Sequence, residues 1–124
     1  MKTIFSENII LDLTRCIEKI AADKVFILTD ENTQQYCLPK INNIVEENNA
    51  NVISISSGDD NKNLSSLAFV WEYLSKNQAS RKSLLINIGG GMVSDLGGFA
   101  ASTFKRGIRY INVPTTLLSV VDAA

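Results

Sequence analysis

Histidine is absent from the 124-residue sequence, and cysteine occurs only twice. Without imidazole, a transition-metal site in this segment would need carboxylates and the two cysteines alone, which is an uncommon ligand set. Cys16 and Cys37 are too far apart for a C-x-x-C motif, and we expect them to be small buried side chains rather than a disulfide. The sequence therefore predicts no metal site within this segment.

The sequence also lacks an excess of positive charge and a long apolar run. Its formal net charge is -1 and its pI is near 5.3, whereas nucleic-acid binding needs a basic surface that displaces counterions. No apolar stretch approaches the roughly 18 residues that a membrane span requires. Glu7 and Asp12 interrupt the beginning of the chain, and no signal-peptide cleavage site follows. We expect no nucleic-acid or membrane partner and a cytoplasmic location.

Strand-like and helix-like segments alternate along the chain. With 45% hydrophobic residues, the sequence can form one domain with a real core. Short buried strands that alternate with amphipathic helices favour a parallel α/β layer with right-handed crossovers. The predicted strands are 24–29, 51–56, 83–88 and 108–113, the predicted helices are 9–20, 36–48, 62–76 and 93–105, and a further helix begins near Thr115.

Polar or glycine-rich loops follow the predicted strands. In sheets of this kind, ligands bind beyond the carboxyl ends of the strands. The loops 30–32, 58–62, 89–95 and 114–116 should therefore gather along one edge of the sheet. The small apolar segment 117–124 has no charged terminator, which suggests the front portion of a longer chain.

The strongest local signal is the triple glycine 89–91, which separates an apolar strand from a helix. Backbone N–H groups at such a place can approach a phosphate, aided by the helix N-terminus. The pattern is not the usual G-x-G-x-x-G dinucleotide motif, because Ser94 stands where the last glycine is required. A tight turn needs fewer than three glycines, so the run favours close approach of a ligand.

Several residues near these loops have both a structural and a functional interpretation. Asp95 can interact with the helix dipole or accept hydrogen bonds from ribose hydroxyls. Asp30 can also bind ribose hydroxyls or cap a helix, and Lys62 can bind phosphate or begin its helix. Thr115 and Thr116 are either an N-cap pair or hydroxyl donors to a ligand.

Two further features need an explanation beyond local propensity. Gly97 and Gly98 lie inside a predicted helix, where each costs about 0.8–1 kcal/mol relative to alanine, so close packing or a ligand must offset that cost. Lys105, Arg106 and Arg109 form a basic cluster. Such a cluster is usually a solvated surface, but an arginine in a turn suits bidentate binding of phosphate or carboxylate.

Taken together, these residues resemble the 3-dehydroquinate synthase family, over nearly the whole chain as its N-terminal nucleotide-binding part. The similarity is most specific in GGGMVSDLGGFAAS, KRG and VPTTLLSVVDA. The triple glycine alone would also suit the related glycerol dehydrogenases and group III alcohol dehydrogenases. The pairing of Arg106-Gly107 with the segments 114–118 and Val121-Asp122 points to the synthases.

The resemblance implies a Rossmann-like, mostly parallel sheet flanked by helices, with residues 1–124 as the NAD-binding N-terminal domain. It also implies the roles of individual residues. Arg106 would reach the substrate phosphate of a neighbouring subunit, and Asp122 would contact both cofactor and substrate. The NAD contacts would be Asp30, Asn32, Gly58, Asp59, Lys62, Gly90, Gly91, Met92, Val93, Ser94, Asp95, Thr115, Thr116 and Asp122.

The sequence departs from the family pattern at two places. The family loop Gly-Glu-x-x-Lys has Asp59 in place of glutamate, and Asn63 follows where serine or threonine is common. Ala124 replaces a serine, and the sequence ends before the family's Gly-Gly-Lys stretch. The family's metal ligands, a glutamate and two histidines that hold zinc or cobalt, lie in the missing part together with substrate-binding lysines. We therefore expect this segment to be inactive alone.

The activity that the resemblance implies is the conversion of 3-deoxy-D-arabino-heptulosonate 7-phosphate to 3-dehydroquinate, with release of phosphate, in the shikimate route to aromatic amino acids. NAD would carry the hydride, and the full-length enzyme would be a homodimeric lyase. The alternatives are another sugar-phosphate cyclase, a metal-dependent alcohol or glycerol dehydrogenase, or a non-catalytic nucleotide-binding fragment.

Overall fold

The computed structural model describes the backbone of residues 2–3 and all of residues 9–56 and 64–115. All the strand pairs in it are parallel, and the strands form one sheet in the order β1-β5-β4-β2-β3. The strands are β1 (Lys2–Thr3), β2 (Val25–Asp30), β3 (Asn51–Ile55), β4 (Leu84–Ile88) and β5 (Arg109–Val113). The helices are α1 (Ile9–Ile20), α2 (Glu31–Tyr36), α3 (Asn42–Glu47), α4 (Leu64–Lys76) and α5 (Gly91–Thr103), with 3₁₀ turns at Leu38–Ile41 and Phe104–Arg106.

Helices cover both faces of the sheet, and this explains why the central strands are almost continuously apolar. Every residue of β4 is buried, as are the first five of β2. Alternate side chains point to opposite faces of a strand. Ile27 and Ile86 therefore pack with α1 and the segment 31–47, whereas Phe26 and Leu85 pack with α4 and α5. The predicted parallel α/β layer is confirmed.

The predicted strands agree with the structure to within one residue at each end, but the helix predicted over 36–48 is wrong. That stretch contains the end of α2, a 3₁₀ turn and α3. Asp30 caps a helix that begins at Glu31, earlier than the apolar spacing suggested. Pro39 has no N–H group, and its ring disfavours the α conformation for the residue before it. The chain therefore ends α2 at Tyr36 and begins again at Leu38.

Helix α5 also differs from its prediction at both ends. It begins at Gly91 instead of Val93, and it ends at Thr103 instead of Lys105. Lys105 and Arg106 have positive φ angles of 45° and 68°, which ends the helical geometry. Of the predicted helix 62–76, the structure describes Leu64–Lys76. Thr115 is helical, and the rest of the last predicted helix lies outside the described residues.

A carboxylate joins the beginning of β2 to the turn before β4 at the amino edge of the sheet. Asp23 accepts hydrogen bonds from the hydroxyls of Ser80 and Ser83, the latter at 2.7 Å. The Ser80 hydroxyl is the main reason that the pKa of Asp23 lies below its usual value. The contact lies at the edge opposite the carboxyl ends of the strands. Within the described residues, no helix has the length and apolar character needed to span a bilayer.

Helix α4 ends in a Schellman motif that lacks the usual glycine. The N–H of Ala79 donates to the carbonyl of Leu74 at 2.9 Å, and the N–H of Gln78 donates to the carbonyl of Ser75 at 3.1 Å. Gln78 has a φ of 62°. A residue other than glycine adopts this left-handed conformation at a cost in conformational free energy. Helix α3 ends in the same way at Asn49, with a φ of 48°.

The positive φ of Gln78 predicts that Gln78→Gly stabilises the fold. We expect the free energy of unfolding to rise by about 1 kcal/mol. Glycine removes the strain of the left-handed conformation, and the greater entropy of glycine in the unfolded chain cancels only part of that gain. Urea denaturation of the two proteins measures the difference. Ser75→Gly is the matched control inside α4 and should lose about 0.5 kcal/mol. A loss of stability for Gln78→Gly would contradict the prediction.

Candidate functional site

The carboxyl ends of four strands form a row along one edge of the sheet. Thr29 of β2 pairs with Ile88 of β4, and Ile88 pairs in turn with Val113 of β5. Asp30, the last residue of β2, pairs with Ile55 of β3. Neighbouring strands lie about 4.8 Å apart, so the residues that follow them are neighbours too. The predicted gathering of strand-end loops is confirmed for the described residues.

The two centre strands of this row make a topological switch point. The chain leaves β2 toward β3 on one side of the sheet, and it leaves β4 toward β5 on the other side. The connections therefore diverge and leave a crevice between the carboxyl ends of β2 and β4. Open α/β sheets bind their ligands at such a crevice. Asp30 lies on one side of it and the triple glycine on the other.

The three glycines of the turn, residues 89–91, are not all required by the structure for the same reason. A Cβ atom on Gly89 would lie 2.7 Å from the side chain of Val93, so this glycine is required by packing. A Cβ atom on Gly90 or Gly91 would meet no atom of the described residues within 4 Å. Gly90 has an extended backbone, with φ -83° and ψ -161°, that any residue can adopt. Neither packing nor backbone conformation requires Gly90, and both glycines border open space at the crevice.

The N-terminus of α5 offers several backbone donors to this open space. The first intrahelical bond links the N–H of Ser94 to the carbonyl of Gly90 at 3.1 Å. The N–H groups of Gly91, Met92 and Val93 precede that bond and have no intrahelical acceptor. Gly90 is the N-cap and has no side chain to accept from them. Among the described residues this helix end has no side-chain cap, and it suits an anion because N–H groups without an intrahelical acceptor and the helix dipole both favour negative charge.

Asp30 is the N-cap of α2. Its Oδ1 accepts a hydrogen bond from the N–H of Thr33 at 2.8 Å, and its own N–H donates to the Thr33 hydroxyl at 2.9 Å. The helix-capping interpretation is thus observed, and it uses only one carboxylate oxygen of Asp30 among the described residues. Asn32 is exposed in the first turn of α2. Both residues border the β2 side of the crevice.

Asp95 is the fifth residue of α5, beyond its first turn, because the helix begins earlier than predicted. The stabilising effect of the dipole falls off within the first turn, so this position weakens the helix-dipole interpretation of Asp95. The side chain is exposed on the helix. Met92 and Ser94 are half-buried, and the side chain of Val93 is buried beneath Gly89.

The end of β5 is tied directly to the triple glycine. The N–H of Gly89 donates to the carbonyl of Val113 at 3.3 Å. Pro114 and Thr115 follow immediately, and Thr115 is half-buried. The structure therefore brings Thr115 close to the glycine turn. The predicted contacts Gly58, Asp59, Lys62, Thr116 and Asp122 lie outside the described residues.

The basic cluster predicted from the sequence does not act as one site. The Nζ atom of Lys105 donates to the carbonyl of Ala79 at 3.1 Å, after the end of α4. The Arg109 guanidinium donates to the carbonyls of Ile20 at 3.1 Å and Lys82 at 3.3 Å. Cations bind helix C-terminal carbonyls favourably. Lys105 therefore joins the turn after α5 to the segment after α4, and Arg109 joins the beginning of β5 to the end of α1 and to the turn before β4.

Arg106 is exposed like the other two cations, but it has no hydrogen bond or ion pair with another described residue. It follows α5, whose 13 residues span about 20 Å. Gly91 lies at the opposite end of that helix. Arg106 is thus far from the glycine turn of its own chain.

Packing explains the two glycines inside α5. A Cβ atom on Gly97 would lie 1.9 Å from Oδ1 of Asn87, and one on Gly98 would lie 3.3 Å from the Tyr110 hydroxyl. Both glycines are buried against the sheet, so close packing is the observed reason and not a ligand. Asn87 itself was missed from the sequence, although a polar residue within the apolar run INIGGG is a signal that could have identified it.

Both cysteines are free thiols, with Cys37 buried and Cys16 half-buried. Burial raises the pKa of the Cys37 thiol, so it is protonated and packs as a small apolar group. Within residues 9–56 and 64–115, no three cysteine or carboxylate side chains are placed to hold a metal ion.

Residues 52–124 match the family model for the 3-dehydroquinate synthase N-terminal region. A 3-dehydroquinate synthase of Parabacteroides distasonis is 46% identical over 123 residues, covering 99% of this chain and 35% of that protein. A 3-dehydroquinate synthase of Clostridium kluyveri is 43% identical over 102 residues, covering 81% of this chain and 28% of that protein. The chain thus spans about a third of the length of these relatives.

Solved structures show the same fold. The chain is similar to 2-deoxy-scyllo-inosose synthase in complex with carbaglucose-6-phosphate, NAD+ and Co2+, with a TM-score of 0.80 and 22% identity over 91% of this chain and 32% of that one. It is also similar to 2-epi-5-epi-valiolone synthase from Streptomyces hygroscopicus with NAD+ and Zn2+, with a TM-score of 0.74 and 17% identity over 92% of this chain and 32% of that one. By sequence and fold, this chain belongs to the 3-dehydroquinate synthase family, whose N-terminal region it matches.

Proposed function

We propose that this chain is the NAD-binding part of a 3-dehydroquinate synthase and that it holds the dinucleotide in the crevice between β2 and β4. The observation that carries the proposal is the N-terminus of α5, where, within the part of the chain that the structure describes, N–H groups without an intrahelical acceptor lie beside two glycines that border open space. A bound pyrophosphate would accept hydrogen bonds from these groups and interact with the helix dipole. The likeness to a cyclase whose structure contains NAD+ supports this assignment.

The residues around the crevice would hold the rest of the cofactor. The backbone of Gly90, Gly91 and Met92 would bind the pyrophosphate, with the N–H of Val93 behind them. Asp30 lies near Asn32 in the sequence. Asp30 would accept hydrogen bonds from ribose hydroxyls through the carboxylate oxygen that does not cap α2. On the β4 side, Ser94, Asp95 and Thr115 would contact the nicotinamide half. Gly58, Asp59, Lys62, Thr116 and Asp122 would complete the contacts from neighbouring loops.

The full-length enzyme would convert 3-deoxy-D-arabino-heptulosonate 7-phosphate to 3-dehydroquinate, in the cytoplasm and as a step of the shikimate route. NAD, when bound, supplies the hydride chemistry that no side chain can perform. This chain would orient the cofactor and exclude water beneath it. The divalent metal, zinc or cobalt, would be held by the remaining two thirds of the enzyme, since the described residues offer no ligand cluster for it.

We further propose that Arg106 serves the active site of the second subunit in a homodimer. Arg106 follows the end of α5, whose 13 residues span about 20 Å from the glycine turn of its own chain, and its guanidinium has no hydrogen bond or ion pair with another described residue. A planar guanidinium binds a phosphate bidentately. The substrate phosphate of the neighbouring subunit is the group that fits this chemistry.

A second candidate function is that of another sugar-phosphate cyclase, because the fold is shared with 2-deoxy-scyllo-inosose synthase. A metal-dependent dehydrogenase is a third, because a glycerol dehydrogenase from Schizosaccharomyces pombe has the same fold with a TM-score of 0.68. Product analysis of the full-length enzyme with heptulosonate phosphate, glucose 6-phosphate and glycerol separates the three. Turnover of the heptulosonate phosphate alone supports the synthase assignment. The chain taken alone would be a non-catalytic nucleotide-binding module.

Calorimetric titration of NAD into this chain tests the proposed site. We expect saturable binding, and we expect Asp95→Ala to weaken it by about tenfold or more, because a charged hydrogen-bond acceptor is lost. Glu18→Ala is the control, since Glu18 is an exposed carboxylate on α1. Absence of NAD binding in a folded chain would contradict the proposal that this segment holds the cofactor.

Arg106→Ala in the full-length enzyme tests the role of the arginine. We expect the KM for the phosphorylated substrate to rise by tenfold or more, because a charge-assisted contact is lost, roughly 1.5–3 kcal/mol. The dissociation constant for NAD should stay within about twofold, because Arg106 is remote from the glycine turn. Equal losses of substrate and NAD affinity would place Arg106 in the cofactor site and overturn the assignment.

A further inference from the structure

A buried amide pair lies beneath helix α5, close to the glycine turn. Asn87 of β4 has no exposed surface. Its Nδ2 donates to Oδ1 of Asn112, on the neighbouring strand β5, at 3.0 Å. Its own Oδ1 is buried and has no N–H or O–H donor among the described residues. Burying a polar atom without a donor is costly, so this arrangement calls for a compensating role.

The amide of Asn87 fits against Gly97 so closely that a side chain at position 97 would overlap the amide. A Cβ atom at Gly97 would lie 1.9 Å from Oδ1 and 2.3 Å from Cγ of Asn87. Because a carbon–carbon bond is about 1.5 Å long, Oδ1 lies no more than about 3.4 Å from the Cα atom of Gly97. That distance suits a Cα–H···O contact. The amide therefore acts as a spacer that sets the distance between β4 and α5.

The position of this spacer links it to the proposed cofactor site. Asn87 precedes the end of β4 by one residue, and Gly97 lies on the helix that begins at Gly91. The turn 89–91 is the short connection between these two elements. A change in the distance between β4 and α5 must therefore move the free N–H groups of that turn. At close quarters, small displacements of positioning groups have large effects on affinity and rate.

We propose that Asn87 is a positioning residue. It holds α5 at the distance from β4 at which the N–H groups of Gly91 and Met92 point into the crevice. Asn87 does not touch the ligand, because it is fully buried beneath the helix. Its effect on cofactor binding rests on the proposed function. Its effect on the backbone of the turn does not.

The test compares three variants of this chain. Asn87→Ala removes the amide, and Asn87→Ala with Gly97→Ala replaces the amide by two facing methyl groups that restore the spacing. Ile86→Ala is the control, because Ile86 is also fully buried in β4 but packs on the opposite face, with α1. The measurements are the amide NMR signals of residues 90–92, the affinity for NAD, and the stability to urea.

We expect Asn87→Ala to shift the amide signals of residues 90–92 and to weaken NAD binding about tenfold. The double variant should return both toward the original values, and Ile86→Ala should lower stability without changing either. If Asn87→Ala and Ile86→Ala leave the three signals equally unchanged, Asn87 is only structural and the inference is wrong. If the signals move but the unmodified chain binds no NAD, the positioning role stands and the proposed function fails.

Discussion

Gly90→Asp is expected to abolish NAD binding without lowering the stability of the fold. A Cβ atom at this position meets no described residue within 4 Å, and the extended backbone accepts any residue. Gly90 is the N-cap of α5, where aspartate is slightly better than glycine, by a few tenths of a kcal/mol. The carboxylate would accept hydrogen bonds from the same N–H groups that we assign to binding of the pyrophosphate. It would also repel the phosphates, for a loss of about 100-fold or more in affinity.

The matched variant is Gly90→Ser, which places an uncharged N-cap at the same position. It should stabilise α5 by a similar few tenths of a kcal/mol, and it should weaken NAD binding much less than the aspartate does. Calorimetric titration gives the affinity, and urea denaturation gives the stability. Opposite signs for stability and binding are the signature of an anion site at the helix N-terminus. If Gly90→Asp binds NAD normally, the pyrophosphate is not held there.

Gly97→Ala is expected to destabilise the fold, although alanine is the better helix former. Alanine improves helix propensity by about 1 kcal/mol, but its Cβ atom would overlap the buried amide of Asn87. Neither the amide nor the helix backbone can withdraw, because both are buried between strand and helix. Overpacking of this kind costs about 1–3 kcal/mol or more. We expect a net loss of about 2 kcal/mol in the free energy of unfolding.

Gly98→Ala is the control for this change, because the two glycines are adjacent in one helix and both substitutions raise helix propensity by the same amount. A Cβ atom at Gly98 lies 3.3 Å from the hydroxyl of Tyr110, at the far end of a side chain that can shift. We therefore expect Gly98→Ala to change stability by less than about 1 kcal/mol. Urea denaturation of the two variants measures the difference. Equal effects would show that the Asn87 contact does not limit the position of α5.

These predictions concern one region, because the glycine turn joins two structural requirements. The strand β4 and helix α5 must pack closely, which fixes Gly89 against Val93 and Gly97 against Asn87. The connection between them borders open space at Gly90 and Gly91 among the described residues, as the proposed cofactor site requires. The glycines near this turn therefore do not share one function. Those under the helix serve packing, and those at its N-terminus border the proposed ligand.

The sequence by itself determined the strands, the parallel α/β layer and the edge of the sheet at which the strand-end loops gather. The strand 84–88 is buried on both faces. Such a strand is a nearly continuous apolar run, so it can be predicted from the sequence alone. The position of the glycine turn after β4 followed from the same pattern. The motifs from Gly89 onward also indicated the family, which the family model and the relatives then confirmed.

Only the tertiary structure decided how individual polar groups are used. Lys105 and Arg109 looked like parts of one basic site, yet they bind carbonyls that are 26 to 89 residues away in sequence. Asn87 and Gly97 fit each other only because helix and strand pack at one distance. The physical reason is the range of the interactions. Periodicity and turn chemistry act within a few residues, whereas the partner of a charge or a buried amide is chosen by the packing of elements remote in sequence.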